Sequence, residues 1–381
     1  TSETLIGQSG LTADHQYGAT GNYTITVTAT NLADNVTSAA ATLIDSVQAT
    51  ELQGGNLALG GMAGGNAFVI TKGTGSSFDV TDNSVSIEHN FIPATGEEIL
   101  LFPGNGTATA AINDNGTTKD VFTLGAGYVV FNKGTFVAAS PITWTVNGNN
   151  SSLGNTFAIV GAATASVNGG TGPNTYNVST GGSLSGTLNG GSGSSNLLSY
   201  SKYASSGVVV DLPLGSATAI DGGANGGISG IRNVTGSSVG GDILVGDANP
   251  NKLTTLKGHN ILIGGSGGGD KLTSGTGGAD ILIAGTTNYD TSIAAMQAIL
   301  AKWKTSTASN YASVVSTIMN SSFADPLNTT TVADSGASDL ADTLVGSNKA
   351  ATDWFFAHFA GGSEPNDTLA GVGTGDTETG I

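Results

Sequence analysis

The sequence predicts a mainly β fold, with a long body read as a parallel β-solenoid or β-roll and a small helical cap near the C-terminus. Three observations carry that expectation. Glycine supplies 60 of 381 residues, about twice the usual share of roughly 7%. Short runs rich in Val, Ile and Leu recur between Gly and Asn turns along the whole chain, the pattern of many short strands. Turn residues at Asp242, Asn251, Asn260, Asp270 and Asp280 are spaced 9, 9, 10 and 10 apart, and a short strand-bearing repeat means stacked coils.

In His15 to Asn31, Tyr23, Ile25, Val27 and Ala29 alternate with Thr24, Thr26, Thr28 and Thr30, which predicts a half-buried strand. A second strand is expected over Ala39 to Ile44. The pattern His-x-Tyr, then Gly-x-Tyr-x-Ile-x-Val-x-Ala-x-Asn, resembles the end of a PKD-type, immunoglobulin-like sandwich. The resemblance implies partial sandwich strands over residues 1–46, too few for a whole domain. Such a fragment is a truncated domain, packs on the next segment of the chain, or is completed by another chain through strand addition.

Residues 47–203 read as β-rich, with NAFVITKGTGSSFDV and GYVVFNKGTFVAASPITWTVNGN as examples; β-branched residues dominate and no helix is expected. Residues 204–289 hold the tight repeat. Residues 290–381 begin with a helical texture. Ile293, Met296, Leu300 and Trp303 form one stripe, with Asp290 or Thr291 as N-cap. A second helix is expected over Asn310 to Met319, with Tyr311, Val314, Val315 and Ile318 apolar. A helical insert should cover the open end of a solenoid.

GGSGGGDKL and GTGGADILI, around Asp270 and Asp280, resemble the haemolysin-type (RTX) nonapeptide, Gly-Gly-x-Gly-x-Asp-x-apolar-x. The resemblance implies that two repeats make one coil of a parallel β-roll. It also implies that Ca²⁺ sits between turns on one edge, held by carboxylate and carbonyl oxygens. Alternate repeats then place Asp242, Asn260 and Asp280 in one file, and Asn251, Asp270 and Asp290 in the other, as candidate calcium ligands. Two of these six are Asn, so few and weak sites are expected. Asp270 with Asp290 is the one all-carboxylate pair. The alternative is that Asn and Asp simply favour tight turns, with Asn ladders holding stacked coils. The stretches from Ser195 to Asp247 and from Leu327 to Phe359 also resemble linking and tail segments of large RTX-bearing bacterial surface proteins.

The formal charge is −17, from 28 acids and 11 bases, and Arg232 is the single Arg. Nucleic acid is excluded as a partner, since phosphate binding needs a basic stripe. An acidic surface suits divalent cations, or equally keeps a secreted protein soluble. With no Cys there are no disulfides or thiolates. No run approaches the ~18 apolar residues of a membrane helix. TSETLIGQSG shows no signal peptide, so the chain is read as a mature product or a piece of something longer.

No catalytic constellation emerges. His15, His89, His259 and His358 lie in no HExxH motif. Adjacent Glu97 and Glu98 point to opposite sides of any strand, and Asp82, Glu88 and His89 read as a solvated loop. Trp144, Trp303 and Trp354 are candidates for sugar stacking, but isolated Trp is more often core. The sequence therefore predicts a non-enzymatic, extracellular or cell-surface structural protein. It would self-assemble as a filament or matrix, its N-terminal segment adding a strand to a neighbour. The alternatives are a calcium-folded adhesin or secretion tail, with cell-surface polysaccharide as a partner, and a polysaccharide-acting β-helix enzyme.

Overall fold

The computed structural model describes residues 21–31, 35–47, 49–51, 56–60, 65–73, 75–93, 97–102, 108–131, 133–138, 142–334, 340–347, 352–359 and 365–381. His15 and the start of the first expected strand lie outside them. The fold is mainly β with largely parallel sheets and two α-helices among the described residues. It divides into two compact units, one reaching Ala110 and including Lys133–Ile142, the other Ala111–Asn132 with Thr143–Ile381.

In the first unit, Gly21–Val27 pairs antiparallel with Ala41–Val47, and Gly21 stands opposite Val47. The second strand therefore starts and ends later than the sequence suggested. The strands Asn66–Lys72, Phe78–Asp82 and Val85–Phe91 form an antiparallel meander. Its second hairpin closes through Asn83 and Ser84, with φ of 48° and 68°. Two left-handed residues give the turn whose twist matches that of paired strands. Leu57–Gly60, Glu98–Phe102 and Gly134–Ala138 run parallel in one sheet. Leu59, Phe68, Ile70, Phe78, Val80, Ile99, Leu101 and Phe136 are fully buried, with Phe78 edge-on to Phe136 at 5.2 Å.

Beside a shorter parallel ladder of Ile142–Asn147, Ala165–Asn168, Leu188–Asn189 and Ile228–Ser229, the second unit holds two long parallel ladders. One runs through Val121–Gly125, Thr156–Ile159, Thr175–Ser179, Leu197–Lys202, Asn233–Thr235, Lys252–Thr254, Lys271–Thr273, Thr343–Val345 and Thr368–Ala370. The other runs through Val209–Asp211, Ile243–Val245, Ile261–Ile263, Ile281–Ile283, Trp354–Ala357 and Thr377–Gly380. From Asn233 to Ile283, successive strands alternate between the ladders. A repeat near nine residues therefore contributes one strand to each sheet in turn, and every second repeat is a neighbour.

Register stacks like on like. Phe131, Phe122, Phe157 and Tyr176 form a continuous ring stack with centroids 4.4, 4.8 and 5.0 Å apart. Leu198, Val234, Leu253, Leu272 and Leu344 carry the same buried column onward. The turns bring backbones very close. A Cβ on Gly240, whose φ is 81°, would sit 2.0 Å from the Lys257 carbonyl oxygen, so only glycine passes there.

The two helices are α1 (Ile293–Trp303) and α2 (Tyr311–Met319). Ser292, not Asp290 or Thr291, caps α1, its Oγ accepting the Ala295 N–H. The helices do not close an end of the ladders. Their buried residues Met296, Ile299, Leu300, Trp303, Val314 and Ile318 pack on Ile243, Val245, Ile261, Ile263, Ile281 and Ile283, together with Trp354 and Phe356. They cover a sheet face. The insert interrupts the ladder in sequence but not in space, because Ile281–Ile283 pairs directly with Trp354–Phe356.

Candidate functional site: two columns of Asp and Asn

From Ile243–Val245 onward each ladder strand is preceded by an Asp or Asn, buried at every position except Asp367 and Asp376. In the second ladder, Asp242 Oδ1 accepts the Val208 N–H (2.9 Å) and Asn260 Oδ1 accepts the Asp242 N–H (2.8 Å). Asp280, Asp353 and Asp376 continue the series, their Oδ1 atoms accepting the N–H of Asn260, Asp280 and Asp353 at 2.9, 2.8 and 2.8 Å. In the first ladder, Asn155, Asn174 and Asn196 cap Asp120, Asn155 and Asn174 in the same way. Asp270, Asp342 and Asp367 then cap Asn251, Asp270 and Asp342 at 2.7, 2.7 and 2.8 Å. Asp242, Asn260, Asp270 and Asp280 are at most 1% exposed. The bonds run between rungs, so each side chain ties its own strand to the preceding strand of the ladder.

The second carboxylate oxygen closes its own turn. Asp242 Oδ2 accepts the Ser237 N–H (3.0 Å), Asp353 Oδ2 that of Ser347 (2.8 Å) and Asp376 Oδ2 that of Gly373 (2.6 Å). Asp280 Oδ2 accepts from the Gly275 N–H (3.1 Å) and from the Thr255 and Ser274 hydroxyls (2.8 and 2.9 Å). Burial pushes the Asp280 pKa up to about 7, and the nearby Asp353 charge adds to the shift. Asp242, Asp353 and Asp367 are also raised, chiefly by burial.

Of the residues singled out in the sequence, Asp242, Asn260 and Asp280 share one column, and Asn251 and Asp270 share the other. Asp290 belongs to neither. The chain leaves the ladders after Ile283, and Asp290 closes a local turn, accepting from the Thr287 N–H and hydroxyl at 2.9 and 2.6 Å. Its pKa is pushed up to about 6 by burial, with a contribution from Asp211. The place expected for Asp290 is taken by Asp342. Sequence reasoning missed Asp342, Asp353, Asp367 and Asp376. The signal was present, since Asp342-Thr-Leu-Val-Gly and Asp367-Thr-Leu-Ala-Gly repeat the Asp-x-apolar pattern.

Calcium takes six to eight oxygens. Among the described residues, no group of three or more His, Asp or Glu side chains is placed to hold a metal ion. At the Asn rungs the fit is poor, because the amide already occupies the turn carbonyls. At Asp280, Asp353 and Asp376, and at Asp270, Asp342 and Asp367, the donors are hard and anionic. These successive carboxylates precede neighbouring strands about 4.8 Å apart, and Asp270, Asp280, Asp342 and Asp353 are buried. They would be the residues to hold calcium.

His89 Nδ1 lies 2.7 Å from Asp79 Oδ1 on the surface, away from the grouping with Asp82 read in the sequence. His259 Nε2 meets the Ser306 carbonyl oxygen at 3.1 Å, and its burial lowers its pKa. His358 Nδ1 lies 3.1 Å from Asp334 Oδ2. Trp144, Trp303 and Trp354 are 2%, 0% and 0% exposed, so all three are core residues that no sugar reaches. Comparison with known protein families, curated proteins and solved structures finds no match.

Proposed function

We propose that this chain is a structural subunit of an extracellular or cell-surface assembly, a filament or matrix, with an RTX-like β-solenoid as its body. The ribbon of Gly21–Val27 and Ala41–Val47 carries the reading. These strands pair with each other and, among the described residues, with no further strand. A lone two-stranded ribbon is marginally stable in water, and its outer edges offer main-chain groups to a further strand. The PKD-like pattern of this segment supports the same idea, with a second copy of the chain supplying the partner strand.

Calcium is a supporting ion in this proposal, held in the all-carboxylate rungs. The test is electron microscopy of the full chain and of a variant lacking residues 2–44, each with and without EDTA. Filaments from the full chain and none from the variant are expected. A variant that polymerises normally sinks the strand-addition reading.

The second reading is a calcium-folded adhesin or secretion tail, favoured by the stacked carboxylates of the C-terminal rungs. It predicts a monomer that unfolds on chelation, an outcome the same experiment distinguishes.

A further inference from the structure

Asn260 has a different neighbourhood from the carboxylates above and below it. Its Oδ1 accepts the Asp242 N–H at 2.8 Å, which fixes the orientation of the amide. Its Nδ2 then faces three oxygens, the carbonyls of Lys257 and Gly258 at 3.0 Å each and Asp280 Oδ1 at 2.9 Å. Two turn carbonyls and a carboxylate oxygen around one partly positive centre form the kind of oxygen set that a hard cation takes. The amide satisfies them without net charge.

The pattern recurs in the other column. Asn174 Nδ2 donates to the carbonyls of Gly172 and Gly190 at 2.9 and 3.1 Å. Asn196 Nδ2 donates to those of Gly191 and Gly230 at 3.2 and 2.9 Å. Asn155 Nδ2 donates to those of Asn149 and Gly169, both at 3.2 Å. In each case one carbonyl comes from a neighbouring coil, so the amide joins coils as an ion would.

We propose that Asn155, Asn174, Asn196 and Asn260 are built-in replacements for bound cations, and that a carboxylate at position 260 turns this rung into a divalent-cation site. The inference deepens the calcium reading above and rests on it for the identity of the ion. It adds which rungs take none. In Asn260→Asp, an oxygen replaces the donor, and four oxygens face one another until a cation enters.

The experiment uses the full chain as wild type, Asn260→Asp and Asn260→Ala, with CaCl₂ titrated by calorimetry and thermal unfolding followed in EDTA and in calcium. Asn260→Asp should bind one more Ca²⁺ per chain than wild type. Its Tm should fall below wild type in EDTA and rise by roughly 5–10 °C at calcium 100 times Kd. Asn260→Ala should lose stability in both conditions and gain no ion. If Asn260→Asp is unfolded in EDTA, recovery of its circular dichroism on adding calcium supports the proposal, and no recovery overturns it. An unchanged ion count in Asn260→Asp also overturns it. Wild type that binds none while Asn260→Asp binds one leaves this inference standing and removes the calcium reading. Wild type that binds ions while Asn260→Asp gains none does the reverse.

Discussion

Asp280 makes folding stability depend on pH in an unusual direction. Its carboxyl is fully buried, and its pKa is raised from 3.8 to about 7 by burial, with the charge of Asp353 as the second cause. The unfolded chain loses this proton near 3.8, and the folded chain keeps it until about 7. Between those values the folded state binds more protons, so stability falls as pH rises. Below the window the stabilisation is fully present, and above it the loss is complete. At about 1.4 kcal/mol per unit, a window of about three units corresponds to about 4 kcal/mol.

The perturbation is Asp280→Asn, which keeps an Oδ1 to cap the Asn260 N–H and removes the titration. The assay is urea unfolding in EDTA at intervals from pH 4 to 8. Asp242, Asp353 and Asp367 shift in the same direction as Asp280, so wild type should lose stability steadily up to about pH 7. His259, whose pKa is lowered by burial, works the opposite way below its ordinary value. It is present in both proteins, so the comparison cancels it. Between pH 5 and 6 the slope for Asp280→Asn should be shallower by up to about 1.4 kcal/mol per unit, one proton's worth. Equal slopes in the two proteins would refute the assignment of a raised pKa to Asp280.

Trp303 is fully buried, and its indole N–H donates to the Ala279 carbonyl oxygen at 2.6 Å. Trp303→Ala should cost about 3–5 kcal/mol in denaturant unfolding, and a cost under about 1 kcal/mol would mean that the helices are not part of the core. Lys252 and Lys271 are exposed and stand opposite each other in adjacent strands. Lys271→Glu should replace a like-charge neighbour with an opposite one and stabilise by roughly 0.2–1 kcal/mol at low salt, an increment that 1 M NaCl should largely erase. Asn260→Asp should gain one bound Ca²⁺ per chain, read by calorimetry.

Much of the architecture was legible because it depends on local chemistry. The nine-residue spacing placed Asp242, Asn260 and Asp280 in one column and Asn251 and Asp270 in the other. Turn and strand lengths alone fix which repeats are neighbours. The helical stripe Ile293, Met296, Leu300, Trp303 was equally readable, because the 3.6-residue period needs no partner to be recognised. Asp290 failed for an identifiable reason. Extending the column to it assumed that the chain stays in the ladder after Ile283. Where a chain departs and returns depends on what the intervening segment packs against, and here Trp354 pairs with Ile281.

Sequence by itself determined the β character, the repeat and the column residues Asp242, Asn251, Asn260, Asp270 and Asp280, since glycine turns and polar residues before short strands act within one repeat. Only the tertiary structure decided what the columns do and what the helices cover. The strands Ile243–Val245, Ile261–Ile263 and Ile281–Ile283 are buried at every position, whereas Lys252–Thr254 and Lys271–Thr273 bury only their central Leu. That contrast is written in the sequence as Ile-Leu-Ile against Lys-Leu-Thr. It acquires meaning only when α1 and α2 lie on the second ladder, because a strand needs apolar residues on both faces only when both faces are covered. Likewise, an Asp before a strand reads the same whether it holds an ion or a backbone N–H. The donors facing it across the rung decide, and they come from residues up to 79 positions away.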